Sequence, residues 1–254
     1  MSNSAQTQLD SPMPGVARIT LSRPDALNAL SSDMMTELQA RLTEVAAQPQ
    51  FRVLVLAAQG KAFSAGHDLR EMRAQPDLAF YQELFAQCSR MMLAMQHLPL
   101  PVIAQINGIA TAAGCQLVAM CDLAVASETS RFAVSGINYG LFCSTPSVGL
   151  SRNVGRKKAM EMLLTGDFID AAQAEREGLD GAPVPQGVDD RGWVVGQLAQ
   201  VVADVAVGVC AVVRDLIPED VLPEIHGAIV SYSHRGSDEG PSPDMIRRAM
   251  TLIP

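Results

Sequence analysis

A chain of 254 residues, 48% hydrophobic and 18% charged, can bury one large core, which excludes global disorder. A net charge of −8 argues against a nucleic-acid partner, which needs clustered Lys and Arg to displace counterions. Five cysteines form no CxxC pair and four histidines show no HxxxH or HExxH spacing, so reduced core thiols are expected and a metal site is not.

Residues 1–14 carry neither the apolar core of a signal peptide nor the Arg-rich pattern of a transit peptide, and read as a flexible tail. No apolar run reaches the roughly 20 residues of a membrane span, so the expectation is a protein of the cytoplasm. Val16–Leu21 alternates like a half-buried strand. Ser31 to Gln48 has helical periodicity, with Ser31 or Ser32 as its cap. The continuous apolar run Phe51–Ala58 predicts a fully buried strand. A loop, QGKAFSAGHDL, leads to a long helix from about Asp77 to His97. Pro99 and Pro101 precede a further buried strand, PVIAQI, and Asn107-Gly108 marks a turn. A helix is predicted from about Thr111 to Met120, a strand at Leu123–Ala126, and short helices at Pro146–Asn153, Arg156–Leu164 and Ala171–Glu177. Buried strands alternating with helices imply an α/β core over residues 15–180. Residues 181–254, with no Lys after Lys158 and a Val/Ala-dense stretch, read as a separate, mainly helical region.

Two stretches share one design: VLVLAAQGKAFSAGHDL and PVIAQINGIATAAGCQL each run from a buried strand through small residues into a helical turn. Amides at a helix start lack internal partners and sit at the positive end of its dipole, and small residues let a ligand approach them. Two such turns side by side would aim two N–H groups at one carbonyl oxygen, an oxyanion hole. Small residues also simply permit tight helix–strand packing, and spacing alone favours that plainer explanation.

RITLSRPDALNALSSDM, GKAFSAGHDLREM, NGIATAAGCQLVAMCDLAVAS and LTGDFIDAAQAEREGL, in order from about Gly15 to Leu179, closely resemble the enoyl-CoA hydratase/isomerase (crotonase) superfamily. NYGLFCSTPSVGL is most similar to its branch of enoyl-CoA hydratase domain-containing proteins. The resemblance implies an α/β spiral of ββα units with a helical C-terminal region. It also implies assembly as a homotrimer or a dimer of trimers, and an acyl-CoA thioester ligand. No cofactor is implied beyond the coenzyme A of the substrate itself.

By the same resemblance, the oxyanion-hole amides fall on His67 and Ala113, and coenzyme A is held around Ala65, His67, Asp68 and Leu69. Arg23, Lys61 and Arg70 are the nearest cations for its phosphates, or ordinary surface charges. Family hydratases grip one water between two glutamates, and the matching positions here are Gln116 and Gly136. A third position, aspartate in related dehalogenases and dienoyl isomerases, is Ser144. None of the three is a carboxylate, and general acid–base groups typically contribute ~10²–10⁴-fold. Asp68, Glu71, Asp122, Cys143 and Tyr139 are the minor alternatives for the missing chemistry. Three functions therefore stay open: a crotonase-type enzyme (a lyase or isomerase) that relies on enolate stabilisation, a non-catalytic acyl-CoA binder, or a purely structural oligomer subunit, which would explain the carboxylate loss but not the ligand loops. Restored turnover in Gln116→Glu with Gly136→Glu would mark an intact scaffold that lacks only its proton-transfer groups.

Overall fold

A computed structural model describes residues 5–180. The region 181–254, to which a helical fold and the oligomer contacts were assigned, lies outside the described residues.

The core grows from strands that alternate between two sheets. The first sheet has the order β1 (Thr7–Met13), β2 (Val16–Leu21), β3 (Val53–Ala58), β5 (Val102–Ile106), β7 (Leu123–Ala126); β1 is antiparallel to β2 and all other pairs are parallel. The second has the order β4 (Ala62–Ser64), β6 (Ile109–Thr111), β8 (Arg131–Ala133), β9 (Ile169–Asp170), with only the last pair antiparallel. Three times the chain leaves a long strand of the first sheet for a three-residue strand of the second, then turns into helix. These are the ββα units expected above.

Parallel strands covered on both faces must be apolar throughout, and β3 (VLVLAA) and β5 (VIAQI) are buried almost along their length. The short strands carry too few residues to show a period, so the sequence reading left them as loop or helix. Glycine marks the entry of β4 and β6. Gly60 (φ 88°) and Gly108 (φ 81°) occupy the left-handed region, and a Cβ on Gly108 would lie 2.1 Å from the Lys61 carbonyl oxygen.

The helices follow their predicted spans closely. α1 (Ser32–Ala46) is capped by Ser31, whose hydroxyl accepts from the Met34 amide, and it buries Met34, Met35, Leu38, Leu42 and Val45. α3 (Leu78–Gln96) is capped by Asp77 and buries Leu84, Cys88, Met91, Met92 and Met95. Methionine and leucine thus fill a core in which aromatics are scarce. α4 (Ala113–Met120) is buried on nearly every side. α5 (Ser144–Asn153), α6 (Arg156–Thr165) and α7 (Ala171–Glu177) complete the described chain. The sequence missed α2 (Leu69–Ala74), a six-residue helix capped by Asp68.

The N-terminal tail is a correction. Thr7–Met13 is a strand, because the Pro14-Gly15 turn (Gly15 φ 81°) folds it back on β2. Glu37 of α1 then accepts from the Gln6 amide at 2.8 Å and the Thr7 amide at 2.9 Å, closing two donors that an edge strand would leave open.

Candidate functional site

The first loop is built by a clamp from residues 23–30. Leu27 and Asn28 are both left-handed (φ 53° and 51°), which turns the Asn28 side chain inward. Asn28 is fully buried; its amide nitrogen donates to the Gln59 and Ala62 carbonyls, both at 2.8 Å, and its oxygen accepts from the Arg23 amide. The Ser64 hydroxyl donates to the Asn28 carbonyl and accepts from the Gly66 amide. A short parallel bridge finishes the clamp: the Leu30 amide donates to Gly66 O at 2.7 Å and the Asp68 amide to Leu30 O at 3.2 Å. That pattern fixes the peptides on either side of His67 and leaves the His67 amide without an acceptor among the described residues.

The second loop ends at the first residue of α4. Ala112 has φ 51° and ψ −121°, a conformation that suits glycine and is strained for alanine. Its amide donates to Ala133 O at 3.0 Å, and the Thr111 and Ser135 hydroxyls lie 2.7 Å apart, so β8 holds the turn in place. The Ala113 amide has no acceptor among the described residues. The two loops touch. A Cβ on Gly66 (φ 85°) would lie 2.9 Å from the Ala112 Cβ and 3.0 Å from the Ala113 nitrogen, and one on Gly114 would lie 2.2 Å from Ser64 O. Small residues here permit close packing, which sets Gly66 against the Ala112–Ala113 turn and Gly114 against Ser64.

Other predicted residues have clear places. Asp68 caps α2, accepting from the Arg70 and Glu71 amides, and pairs with Arg23 at 2.8 Å. Burial opposes its charge, but the Arg23 hydrogen bond, those amides and the Arg23 charge outweigh it and hold the carboxyl below its usual range. Arg23 is thus engaged with Asp68, whereas Lys61 and Arg70 are exposed. The Glu71 carboxylate accepts from the Ser32 amide, and Asp122 accepts from the Val102 amide at 2.7 Å, so both minor carboxylate candidates are structural acceptors. The His67 ring stands edge-on to Phe85 at 5.2 Å, with both nitrogens shut off from solvent and without hydrogen-bond partners among the described residues. Burial lowers its pKa, against the opposing pull of the Leu30 backbone and Glu71.

At the carboxylate positions, Gln116 is 6% exposed and its Oε1 has no hydrogen-bond partner among the described residues. Gly136 admits no side chain: a Cβ there would lie 2.5 Å from Leu141 O and 2.7 Å from the Cys143 sulfur. Sequence reasoning treated Gly136 as an empty position open to a glutamate, and the packing of the 136–143 loop overturns that. Ser144 and Tyr139 are exposed, Tyr139 to 69%. Among the described residues no cluster of three His, Cys, Asp or Glu is placed to hold a metal, and no helix is long and apolar enough to cross a membrane.

Comparison with known proteins decides the family. The model of enoyl-CoA hydratase/isomerase matches residues 13–206, past the Leu179 limit read from the motifs. The chain belongs to the enoyl-CoA hydratase/isomerase family. It is 50% identical over 172 residues to the mitochondrial enoyl-CoA hydratase domain-containing protein 3 of Xenopus laevis, covering 68% of this chain and 58% of that protein. Against the human protein of that name it is 47% identical over 172 residues, 68% and 57% of the two chains. These matches span less than two thirds of the relatives' own length. Among solved structures, an enoyl-CoA hydratase of Mycobacterium smegmatis is 44% identical with a TM-score of 0.75, over 97% of this chain and 95% of that one. Human enoyl coenzyme A hydratase domain-containing protein 3 is 36% identical with a TM-score of 0.73, over 97% and 90%. The crotonase fold and the expected branch are thereby established. The cytoplasmic location expected from the sequence is overturned, because the domain-containing relatives are designated mitochondrial.

Proposed function

We propose that this family member binds an acyl-CoA thioester with its carbonyl oxygen between the His67 and Ala113 amides, and that it does not carry out ordinary enoyl hydration. The close packing of Gly66 against the Ala112–Ala113 turn carries the reading, since the His67 and Ala113 amides beside that contact are both without acceptors among the described residues. Each donor of such a pair is worth about 3 kcal/mol when charge develops on the oxygen. That would polarise the thioester and stabilise its enolate.

Hydration also needs a base for water and an acid for the α-carbon. Gln116 can orient a water but cannot exchange protons with it, and Gly136 offers nothing. The loss of both groups favours binding, or chemistry that needs only an enolate, over turnover. Coenzyme A would lie along Ala65 and His67–Leu69, with Lys61 and Arg70 as the exposed cations for its phosphates and Arg23 acting indirectly through Asp68. The arrangement as a homotrimer or dimer of trimers is part of this proposal, and light scattering of the full chain measures it.

Calorimetric titration with acetyl-CoA and crotonyl-CoA, together with the loss of enoyl absorbance, tests the reading. Binding of both thioesters without hydration is the expected result. Failure of both to bind, or hydration at rates normal for the family, refutes it.

A further inference from the structure

The segment beside the first turn of α4 carries a thiol at its far end. β8 lies against β6 with Ala133 opposite Thr111, and the Thr111–Ser135 and Ala112–Ala133 hydrogen bonds tie residues 133–136 to the start of α4. Cys143, at the head of α5, returns to the same point: its sulfur accepts from the Gly136 amide at 3.3 Å. That sulfur stands 2.7 Å from where a residue-136 Cβ would be. A thiol therefore fills the space from which a side chain at 136 would start.

Gln116 points independently to a ligand at this end of the helix. It lies three residues after Ala113, on the same face of α4, and helical side chains lean toward the N-terminus. Its buried oxygen has no partner among the described residues. The other described thiols are poorer candidates. Cys88 and Cys115 are enclosed, and burial pushes both to about 12. The Cys121 sulfur is turned to the Leu117 carbonyl; burial raises the Cys143 thiol too, but the Gly136 amide opposes that rise.

We infer that Cys143 is a nucleophile toward α,β-unsaturated acyl-CoA, adding to the β-carbon of a thioester whose carbonyl oxygen rests on the His67 and Ala113 amides. This rests on the binding reading above. The sulfur–carbon bond forms at the β-carbon, and the alkene electron pair moves into an enolate whose charge faces the two amides. The thiol proton ends on the α-carbon. Gln116 carries no proton of its own to give, so the thiol supplies the only one required. The thioester bond stays whole, coenzyme A remains attached, and no oxidant or reductant is consumed. The product is a thioether-linked acyl-CoA: the site captures an enoyl thioester instead of hydrating it.

Intact-mass spectrometry of the full chain incubated with crotonyl-CoA tests this, with peptide mapping of the modified residue and calorimetry with saturated butyryl-CoA beside it. The expected result is a mass gain equal to one whole crotonyl-CoA, mapped to Cys143, kept in Cys210→Ser and lost in Cys143→Ser. Binding of butyryl-CoA without a crotonyl-CoA adduct overturns the inference and leaves the binding reading standing. Failure of butyryl-CoA to bind sinks the binding reading, and the inference with it. A gain of the crotonyl group alone, with coenzyme A released, places the sulfur at the carbonyl and overturns addition at the β-carbon. Peptide mapping of the unmutated protein decides the outcome even where Cys143→Ser fails to fold.

Discussion

Gly136 offers the sharpest test of whether this site is a hydratase with two side chains exchanged or a differently packed pocket. A Cβ at 136 would stand 2.5 Å from the Leu141 carbonyl oxygen and 2.7 Å from the Cys143 sulfur. The first of these is backbone, and it belongs to a loop closed by the Leu141 amide on Gly136 O at 3.0 Å. The loop must therefore move before any side chain fits, and overpacking of this kind costs about 1–3 kcal/mol. Gly136→Ala should lose that much in urea denaturation, and Gly136→Glu at least as much. Cys143→Ala in the Gly136→Ala background should recover only part of the loss, because the Leu141 oxygen remains; a double-mutant cycle measures the share. Gln116→Glu should fold, with burial raising its carboxyl pKa, and should not hydrate crotonyl-CoA efficiently by itself. Adding Gly136→Glu should destabilise the protein without restoring turnover. A stable double variant with hydration raised by ~10²-fold or more would refute the packing argument and revive the simpler view of an intact scaffold.

Four further outcomes follow from the same geometry. Gly66→Ala, at φ 85° and 3.0 Å from the Ala113 nitrogen, should lose about 1–3 kcal/mol of stability and abolish acyl-CoA binding, read by denaturation and calorimetry. Ala112→Gly relieves the strained φ of 51° and should raise stability by about 1 kcal/mol, seen as a higher melting temperature. Asn28→Ala removes two donors to buried carbonyls and one acceptor, and should cost about 3 kcal/mol or more together with thioester binding. His67 has a folded pKa lowered by burial, so its contribution is complete above its unfolded pKa of about 6.5 and is lost as pH falls toward the folded value. Stability should decline on acidification below that point, and His67→Asn should flatten this part of the profile.

Much of the fold was legible because its longest elements carry strong periods. Ala171–Glu177 was read to the residue, the long helix was bounded at about Asp77 and His97, and Ser31 was one of two serines offered as the cap of α1. The three-residue strands were not legible, since a period of two cannot show in three positions; only the positive-φ glycines before them left a trace. The N-terminal strand was missed for a different reason. Of its seven residues Thr7 alone is buried, so composition resembled a tail, and its partners Glu37 and Arg18 lie elsewhere in the sequence. The site was legible to the level of which residues matter but not of what they touch. That Arg23 is paired with Asp68 depends on a turn at Leu27 and Asn28 whose left-handed backbone no local pattern specifies.

On the proposed reading, Gln116 and Gly136 are two different kinds of departure from a hydratase. Gln116 has nearly the shape of a glutamate, it is buried, and its Oε1 has no hydrogen-bond partner among the described residues. A single substitution reverses it chemically. Gly136 cannot be reversed in this way, because the loop has closed over the space: Leu141 O and the Cys143 sulfur now occupy it, and the Gly136 amide has taken that sulfur as its acceptor. Closing that space requires several residues to pack together, and their packing now opposes any side chain at position 136. The His67 loop lies outside that segment: it is held by Asn28, Ser64 and the Leu30 bridge, none of which belongs to the 136–143 loop, whereas the Ala113 turn is tied to Ala133 and Ser135 just before it. On the proposed reading, proton-transfer groups can be absent while the loop that presents the His67 amide keeps its geometry, because that loop is braced by a separate part of the chain.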